Sequence, residues 1–365
     1  MKRRRVLVIA ALAILVTVLG VVFDLLPDGL LPEPYSRLPD DRRVPIAVLG
    51  DSDSQGFQDT IWYAPDRPRG GVHHDIALQW TEVLDRIRHD QVDLGDVGVC
   101  GGRLRIVKLL EWFGCERRAP RKRDNQFNFA FGGARCRDLH EGPFRQVPRL
   151  LALMRRDAAR WERGVVVIRM GTNDLAHADT LDALAADPAD REVCRRMESC
   201  TAMIERAIRA VRAEHPRTAI VVVGLFDNSD FPPYFDKWQD PVALANIRAG
   251  IDHYNAGLRR IADADPRLAF FDDCAWFRPL WGGRDPAGKP AYRVVEIGAK
   301  IRITFTCGDE PTNALLADAH AGVAWNALWC QSLTRFLAEE LRVPVEPVAD
   351  AEVERFLTEL YPKWR

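Results

Sequence analysis

Serine is scarce in this chain. Its 365 residues include six, at positions 36, 52, 54, 199, 229 and 332, although serine is ordinarily one of the commonest residues. There is no excess of charge of either sign: 51 Lys and Arg stand against 52 Asp and Glu, for a net charge of −1. That balance excludes the basic footprint of a dedicated nucleic-acid binder. The local run Arg117-Arg118…Arg121-Lys122-Arg123 reads as solvated loop charge. No two cysteines have the C-x-x-C spacing, which excludes a zinc ribbon or a thioredoxin-type motif. Internal repeats and low-complexity tracts are also lacking, so neither a solenoid nor a disordered array is expected.

What is present fits a folded globular chain, with 47% apolar and 28% charged residues. The N-terminus places Met1-Lys2-Arg3-Arg4-Arg5 before an uncharged stretch from Val6 to Phe23. Cations followed by such a stretch predict a membrane-targeting segment over 1–23, an uncleaved signal anchor or a signal peptide, with the remainder exported. Residues 24–43 read as a Pro-rich linker. The expected setting is a bacterial inner membrane with the protein facing the periplasm, or secretion if the segment is cleaved. Eight cysteines fit an oxidising compartment. Local pairings Cys100–Cys115, Cys194–Cys200 and Cys274–Cys307 would leave Cys136–Cys330.

Apolar, non-alternating runs at 44–49, 126–131, 164–170, 217–225 and 267–272 predict strands buried on both faces. Amphipathic patterns near 76–90, 145–161, 197–214, 240–263, 323–341 and 350–361 predict helices between and after them. Strands alternating with helices imply βαβ units and a parallel sheet. Two stretches break the alternation, 91–123 and 273–312, and are expected as long loop insertions. Aromatic residues of the second, Trp276 and Trp281 among them, are candidates to line a pocket. The expected division is a domain over 44–345 and a C-terminal extension over 346–365.

The first strand runs into Gly50-Asp51-Ser52. A serine on that turn stands at the carboxyl edge of the sheet, where open α/β folds keep their ligand crevice. Three further segments follow: Asn128 to Ala134 with Gly132-Gly133, Met170-Gly171-Thr172-Asn173-Asp174, and Ala317-Asp318-Ala319-His320. In this order the four resemble the blocks of the SGNH hydrolases, the GDSL-type esterases and lipases, over roughly residues 44–341. The resemblance implies a flavodoxin-like three-layer α/β/α fold with a central parallel sheet of about five strands. It implies a serine hydrolase that cleaves carboxylic esters, of acyl lipids or of O-acetylated carbohydrate, with no cofactor and no metal. Ser52 would be the nucleophile and His320 the base that activates it. Asp318 would orient the imidazole. Oxyanion donors would be the Ser52 and Gly133 amides and the Asn173 side chain. Gly133 is chosen over Gly132 because the family's donor glycine lies five residues after the asparagine.

Two features depart from the family pattern. The acid precedes the histidine as Asp318-x-His320, where the family shows Asp-x-x-His, so Asp309 or a backbone carbonyl could partner the ring instead. Asp53 stands where the family usually has leucine. Asp51-Ser52-Asp53 after a strand also resembles the nucleophile motif of haloacid-dehalogenase-type phosphatases, with Asp272 and Asp273 as a magnesium-binding pair. The same segments would also suit an O-acyltransferase that acts on cell-envelope glycan, or an exported scaffold that keeps the fold without catalysis.

Overall fold

The computed structural model describes residues 14, 15, 18, 42–63, 68–103, 107, 108, 111, 112, 118–285 and 289–364. The targeting segment and the linker expected over 1–43 lie outside these except at five positions. Among the described residues no helix is long and apolar enough to cross a membrane, so the expected anchor gains no support.

Strand β1 (Val44–Gly50) leads to α1 (Trp80–Ile87), the short β2 (Val92–Asp93) and the hairpin strands β3 (Val97–Cys100) and β4 (Lys122–Asn125). Helices α2 (Val147–Met154) and α3 (Ala158–Trp161) precede β5 (Val165–Arg169). Then come α4 (Thr172–Leu175), α5 (Ala178–Ala186), α6 (Arg191–Glu214) and β6 (Ala219–Val223). Helix α7 (Pro241–Ala262), β7 (Leu268–Phe271) and α8 (Asp273–Leu280) follow. The chain closes with β8 (Val294–Ile297), β9 (Ile301–Cys307), β10 (Asn313–Leu315), α9 (Val323–Glu340) and α10 (Asp350–Leu360).

The central sheet has five parallel strands in the order β2-β1-β5-β6-β7. This is the flavodoxin-like order, with the switch point beside β1. Every residue of β1, β5 and β6 is buried, because helices cover both faces. Val44, Ile46 and Val48 point into a core shared with α1, α9 and α10. Ala47 and Leu49 point into a second core shared with α2, α6 and α7. The period of two along a strand thus divides one apolar run between two helical layers, giving the three-layer α/β/α architecture.

Four of the five expected strands form. Residues 126–131 do not, although they run beside β1: Val48 donates to the Phe127 carbonyl at 3.0 Å and Phe129 donates to the Val48 carbonyl at 2.8 Å. The Asn128 amide turns back to the Asn125 carbonyl at 3.0 Å, so the contact stays a single bridge, Val48 with Asn128. The fifth strand is Val92–Asp93, from the stretch expected to be loop. The described residues of the second expected insertion also form regular elements. They include α8 and most of a small sheet, β10-β9-β8. Its tryptophans are core and not pocket lining: Trp281 is fully buried and stacks on Trp325 at 5.2 Å with an interplanar angle of 8°. Residues 346–364 pack on the α1 side, where Arg88 donates to Glu352 (2.8 Å) and to the carbonyls of Glu346 (2.9 Å) and Pro347 (3.1 Å).

The disulfide is Cys136–Cys200, with Cα atoms 5.1 Å apart, and this corrects two expected pairings. Cys194 and Cys200 lie on one helix, six residues and thus about 9 Å apart along its axis, too far to bridge. Cys136 and Cys330 belong to cores on opposite faces of the sheet. Cys274 and Cys307 are unbridged, the first buried and the second exposed. Cys115, expected to pair with Cys100, lies outside the described residues. Closing a separation of 64 residues stabilises the fold by about 4 kcal/mol on chain-entropy grounds. Cys200→Ser should lower the urea-unfolding free energy by about that amount, and Cys194→Ser should change it by less than about 0.5 kcal/mol.

Candidate active site

The site begins where β1 leaves the sheet. A Cβ at Gly50 would lie 3.0 Å from Ser54 Cβ and 3.1 Å from the Arg169 carbonyl, so the close approach of β1 to its neighbours requires glycine here. Gln146 is buried and takes both backbone groups of Gly50, accepting from its amide at 2.9 Å and donating to its carbonyl at 2.8 Å. The next carbonyl, of Asp51, accepts from Ser54 and Gln55, each at 3.1 Å, and closes the turn. The Asp51 carboxyl is buried; Oδ1 accepts from the Asp53 amide at 2.9 Å and Oδ2 has no partner among the described residues. Burial, then the neighbouring Asp53 carboxylate, push its pKa well above the ordinary carboxylate range.

Ser52 is half-buried on this turn. Its carbonyl accepts from Gln79 Nε2 at 3.2 Å, and its hydroxyl makes no hydrogen bond among the described residues. Asp53 ties the turn to the third block. Its Oδ2 accepts from the Thr172 hydroxyl at 3.1 Å and its carbonyl from Arg169 Nη1 at 3.0 Å. Asn128 ties in the second block, donating to the Ser54 carbonyl at 2.7 Å. Glu82, in the first turn of α1, accepts from the Phe57 amide at 2.9 Å and the Gln58 amide at 3.1 Å, fixing the exit of the same segment.

Gly132 and Gly133 differ sharply. The Gly132 amide donates to Gln55 Oε1, and a Cβ there would meet Trp62 Nε1 at 3.2 Å. Gly133 is exposed, with φ of +81° and open space around its Cβ position. Its amide makes no hydrogen bond among the described residues. The next carbonyl, of Ala134, accepts from Asn173 Nδ2 at 2.9 Å, which seats the third block against the second and leaves Asn173 a second amide hydrogen. Asn173 enters α4 just after Gly171, whose φ of +124° and whose Cβ position 2.9 Å from the Tyr254 hydroxyl both demand glycine. Beneath them Asp174 Oδ2 accepts from the Cys136 amide at 2.9 Å, beside the disulfide. Burial raises the Asp174 pKa.

The fourth block is a tight loop after β10. Leu316 donates to the His320 carbonyl at 2.7 Å and Ala319 donates to the Leu316 carbonyl at 2.9 Å. Ala319 adopts φ of +66°, unusual for a residue with a Cβ. That left-handed residue turns Asp318 back, so that Oδ2 lies 3.1 Å from His320 Nδ1, a close ion contact without full hydrogen-bond alignment. Burial opposes ionisation of Asp318, but the contact with His320 and the charges of His320 and Arg69 hold its pKa well below the usual carboxylate range. The ring stands edge-on to Phe57, centroids 6.3 Å apart. Its Nε2 lies 3.1 Å from Arg69 Nη2. A guanidinium has donors only, so Nε2 accepts and the proton sits on Nδ1, facing Asp318.

The expected site residues therefore assemble as pairs. Gly133 meets Asn173 through Ala134, and Asp318 meets His320. Ser52 is tied to the second and third blocks, and His320 reaches the Ser52 segment through Phe57. Ser52 and His320 share no hydrogen bond. Asp309 is occupied elsewhere, accepting from the Ala317 amide at 3.1 Å. The acids of the phosphatase reading are engaged within the protein: Asp51 is buried, Asp272 pairs with Arg259 at 2.6 Å and Asp273 accepts from Trp329 Nε1 at 2.8 Å. Among the described residues the one cluster with ligand spacing is Cys136, Asp174 and Cys200, and its sulfurs are joined as the disulfide. Sequence reasoning missed Arg69, Tyr63, Phe57 and Gln146, which carry no motif.

Comparison with protein families matches residues 48–292 to the GDSL-like Lipase/Acylhydrolase family. The match covers the first three blocks and ends before Asp318 and His320. Similar solved structures include the lipase Lip_vut3 from a goat rumen metagenome, 14% identical, covering 82% of this chain and 99% of that one with a TM-score of 0.39. Another is the extracellular lipase of Streptomyces rimosus, 16% identical, covering 82% and 97% of the respective chains with a TM-score of 0.35. No curated protein matches the chain.

The left-handed position makes a testable demand. Ala319→Gly should be neutral or stabilise by up to about 1 kcal/mol, because glycine meets that φ without a Cβ penalty. Ala319→Val should destabilise by more than 1 kcal/mol, roughly, since a β-branched side chain opposes φ > 0. Thermal unfolding reads both. Asp318, with its depressed folded pKa, contributes stability that is present above the unfolded value of about 4 and is lost as pH falls through the folded value. The difference in Tm between wild type and Asp318→Asn should accordingly shrink as pH drops below about 4.

Proposed function

The chain belongs to the GDSL-like lipase and acylhydrolase family and is an ester-cleaving hydrolase, and we propose that it works through an acyl-enzyme on Ser52. The observation that carries this reading is the placement of His320: Nδ1 lies 3.1 Å from Asp318 Oδ2, Nε2 faces a donor of Arg69, and the ring stands edge-on to Phe57 in the segment that follows Ser52. A general base for serine needs an acid at Nδ1 and a lone pair on Nε2.

In the proposed reaction Ser52 Oγ attacks the ester carbonyl carbon while its proton passes to His320 Nε2. The carbonyl oxygen becomes an oxyanion, met by the Gly133 amide, the Ser52 amide and the second Asn173 hydrogen. The C–O bond to the alcohol breaks, the alcohol oxygen takes the proton from Nε2, and the acyl group stays on Ser52. Water then attacks the acyl-enzyme with His320 again as base, releasing the carboxylic acid and restoring the hydroxyl. Asp318, ionised throughout the neutral range, stabilises the imidazolium formed in each half. The substrates are carboxylic esters, of acyl lipid or of O-acetylated carbohydrate. The buried disulfide supports export to an oxidising compartment.

Ser52→Ala should abolish turnover of p-nitrophenyl acetate with the circular-dichroism spectrum unchanged. A fluorophosphonate probe should label wild type at Ser52 and leave that variant unlabelled; retained turnover or labelling elsewhere refutes the nucleophile. Asn173→Ala should lose about 100-fold or more in kcat.

A further inference from the structure

Arg69 stands at the atom the reaction uses. Its Nη2 donates to His320 Nε2 at 3.1 Å, its Nη1 to the Tyr63 hydroxyl at 2.9 Å and its Nε to Asp318 Oδ2 at 3.0 Å. The guanidinium lies 4.0 Å from the Tyr63 ring centroid and 4.8 Å from that of Phe57, between two aromatic faces. The side chain is 9% exposed, and the Arg69 carbonyl faces His74 Nδ1 at 2.9 Å. The group is therefore placed by stacking and by its own backbone, and it does not sample solvent as a surface arginine does.

Its hydrogen bonds are mismatched to its charge. The Nη1–Nη2 edge of a guanidinium is shaped for a carboxylate taken bidentately. Here that edge meets two neutral acceptors, a phenol oxygen and an imidazole nitrogen, while the one anion, Asp318, sits at Nε. The contact with Nε2 also ends during the reaction. Once His320 has taken the Ser52 proton, Nε2 has no lone pair to offer, and Nη2 needs another acceptor. His320 Nε2 then delivers that proton to the leaving alcohol oxygen, so what adjoins Nε2 adjoins the alcohol side of the ester.

Resting on the acyl-enzyme reading above, we propose that Arg69 is the specificity-determining residue of this site and selects esters whose alcohol portion carries a carboxylate. The substrate carboxylate takes the Nη1–Nη2 edge, draws Arg69 off Nε2 and frees that lone pair for the Ser52 proton. Neutral esters lack the group that releases it.

The test uses the full-length enzyme with two acetyl esters of matched shape, 3-acetoxybenzoate and 3-acetoxybenzamide, followed by phenol release. Wild type should favour the acid by about tenfold to a hundredfold in kcat/KM, the size of one charge-assisted bidentate contact. Arg69→Met, which keeps the stacked aliphatic stem, should bring that ratio near one. Arg69→Lys should keep part of the preference. Added salt should erode the preference in wild type and leave Arg69→Met unaffected. On wild type alone, benzoate should compete better than benzamide, which decides the matter even if a variant fails to fold. Equal rates on the two esters in wild type, or a fall on both in Arg69→Met with the ratio kept, overturns the assignment while Ser52-dependent turnover stands. If neither ester is turned over and no probe labels Ser52, the acyl-enzyme reading itself has failed and this inference falls with it.

Discussion

A parallel strand that runs out of its sheet leaves amides and carbonyls that no neighbouring strand can pair, and a buried one must find other partners. The end of β1 is such a place. Gln146 takes both groups of Gly50, Asn128 and Gln79 take the carbonyls of Ser54 and Ser52, and Arg169 takes that of Asp53. These side chains come from the second block, α1, the start of α2 and the end of β5. The turn that carries Ser52 is consequently held from four directions without using the Ser52 hydroxyl. The hydroxyl is thereby kept out of the framework that holds the turn, so its proton stays available to a base that comes within hydrogen-bond reach.

The same logic explains the acids around the turn. Asp51 is buried with one oxygen unpartnered among the described residues, burial pushes its pKa up, and its other oxygen accepts from the Asp53 amide and braces the turn. Asp53, whose charge a leucine in the family pattern would not bring, is used as a clamp: it accepts from Thr172 at 3.1 Å and so sets the position of Asn173 next to it. Both carboxyls thus serve the structure of the turn, one from within the core and the other across to the third block.

Much of this was legible in the sequence. Non-alternating Val/Ile runs identify β1, β5 and β6, because strands covered on both faces have no polar side to show. Four short blocks point to the candidate site because glycine, asparagine and serine at strand ends answer backbone needs that leave a fixed residue type. What the sequence hid follows from the same physics. Val92–Asp93 is too short to carry periodicity, and residues 126–131 look like a strand but kink at Asn128, a polar residue whose side chain serves the Ser54 carbonyl. Trp276 and Trp281 look like a pocket in a loop, yet an aromatic run fills a core equally well, and here Trp281 lies flat on Trp325. The disulfide joins residues 64 apart, a pairing set by packing alone. Arg69 lies in a turn with no motif, so its place at His320 emerges only in three dimensions.

The irregular fourth block shows why spacing in sequence is weaker than geometry. With one residue of chain fewer between acid and ring than the family pattern, Asp318 reaches Nδ1 because two features compensate. Ala319 takes φ of +66°, reversing the chain within one residue. The loop is also pinched at its base, where Gly322 donates to the Ala314 carbonyl at 2.7 Å and Leu316 donates to that of His320 at the same distance. These bonds extend the small sheet through β10, so the histidine stands on the edge of a sheet that the family match does not reach. A right-handed residue at 319 would send the carboxylate away from the ring, and a longer spacer would slacken the pinch. The tight turn therefore substitutes backbone conformation for chain length, and its cost in φ falls on the smallest side chain that is not glycine.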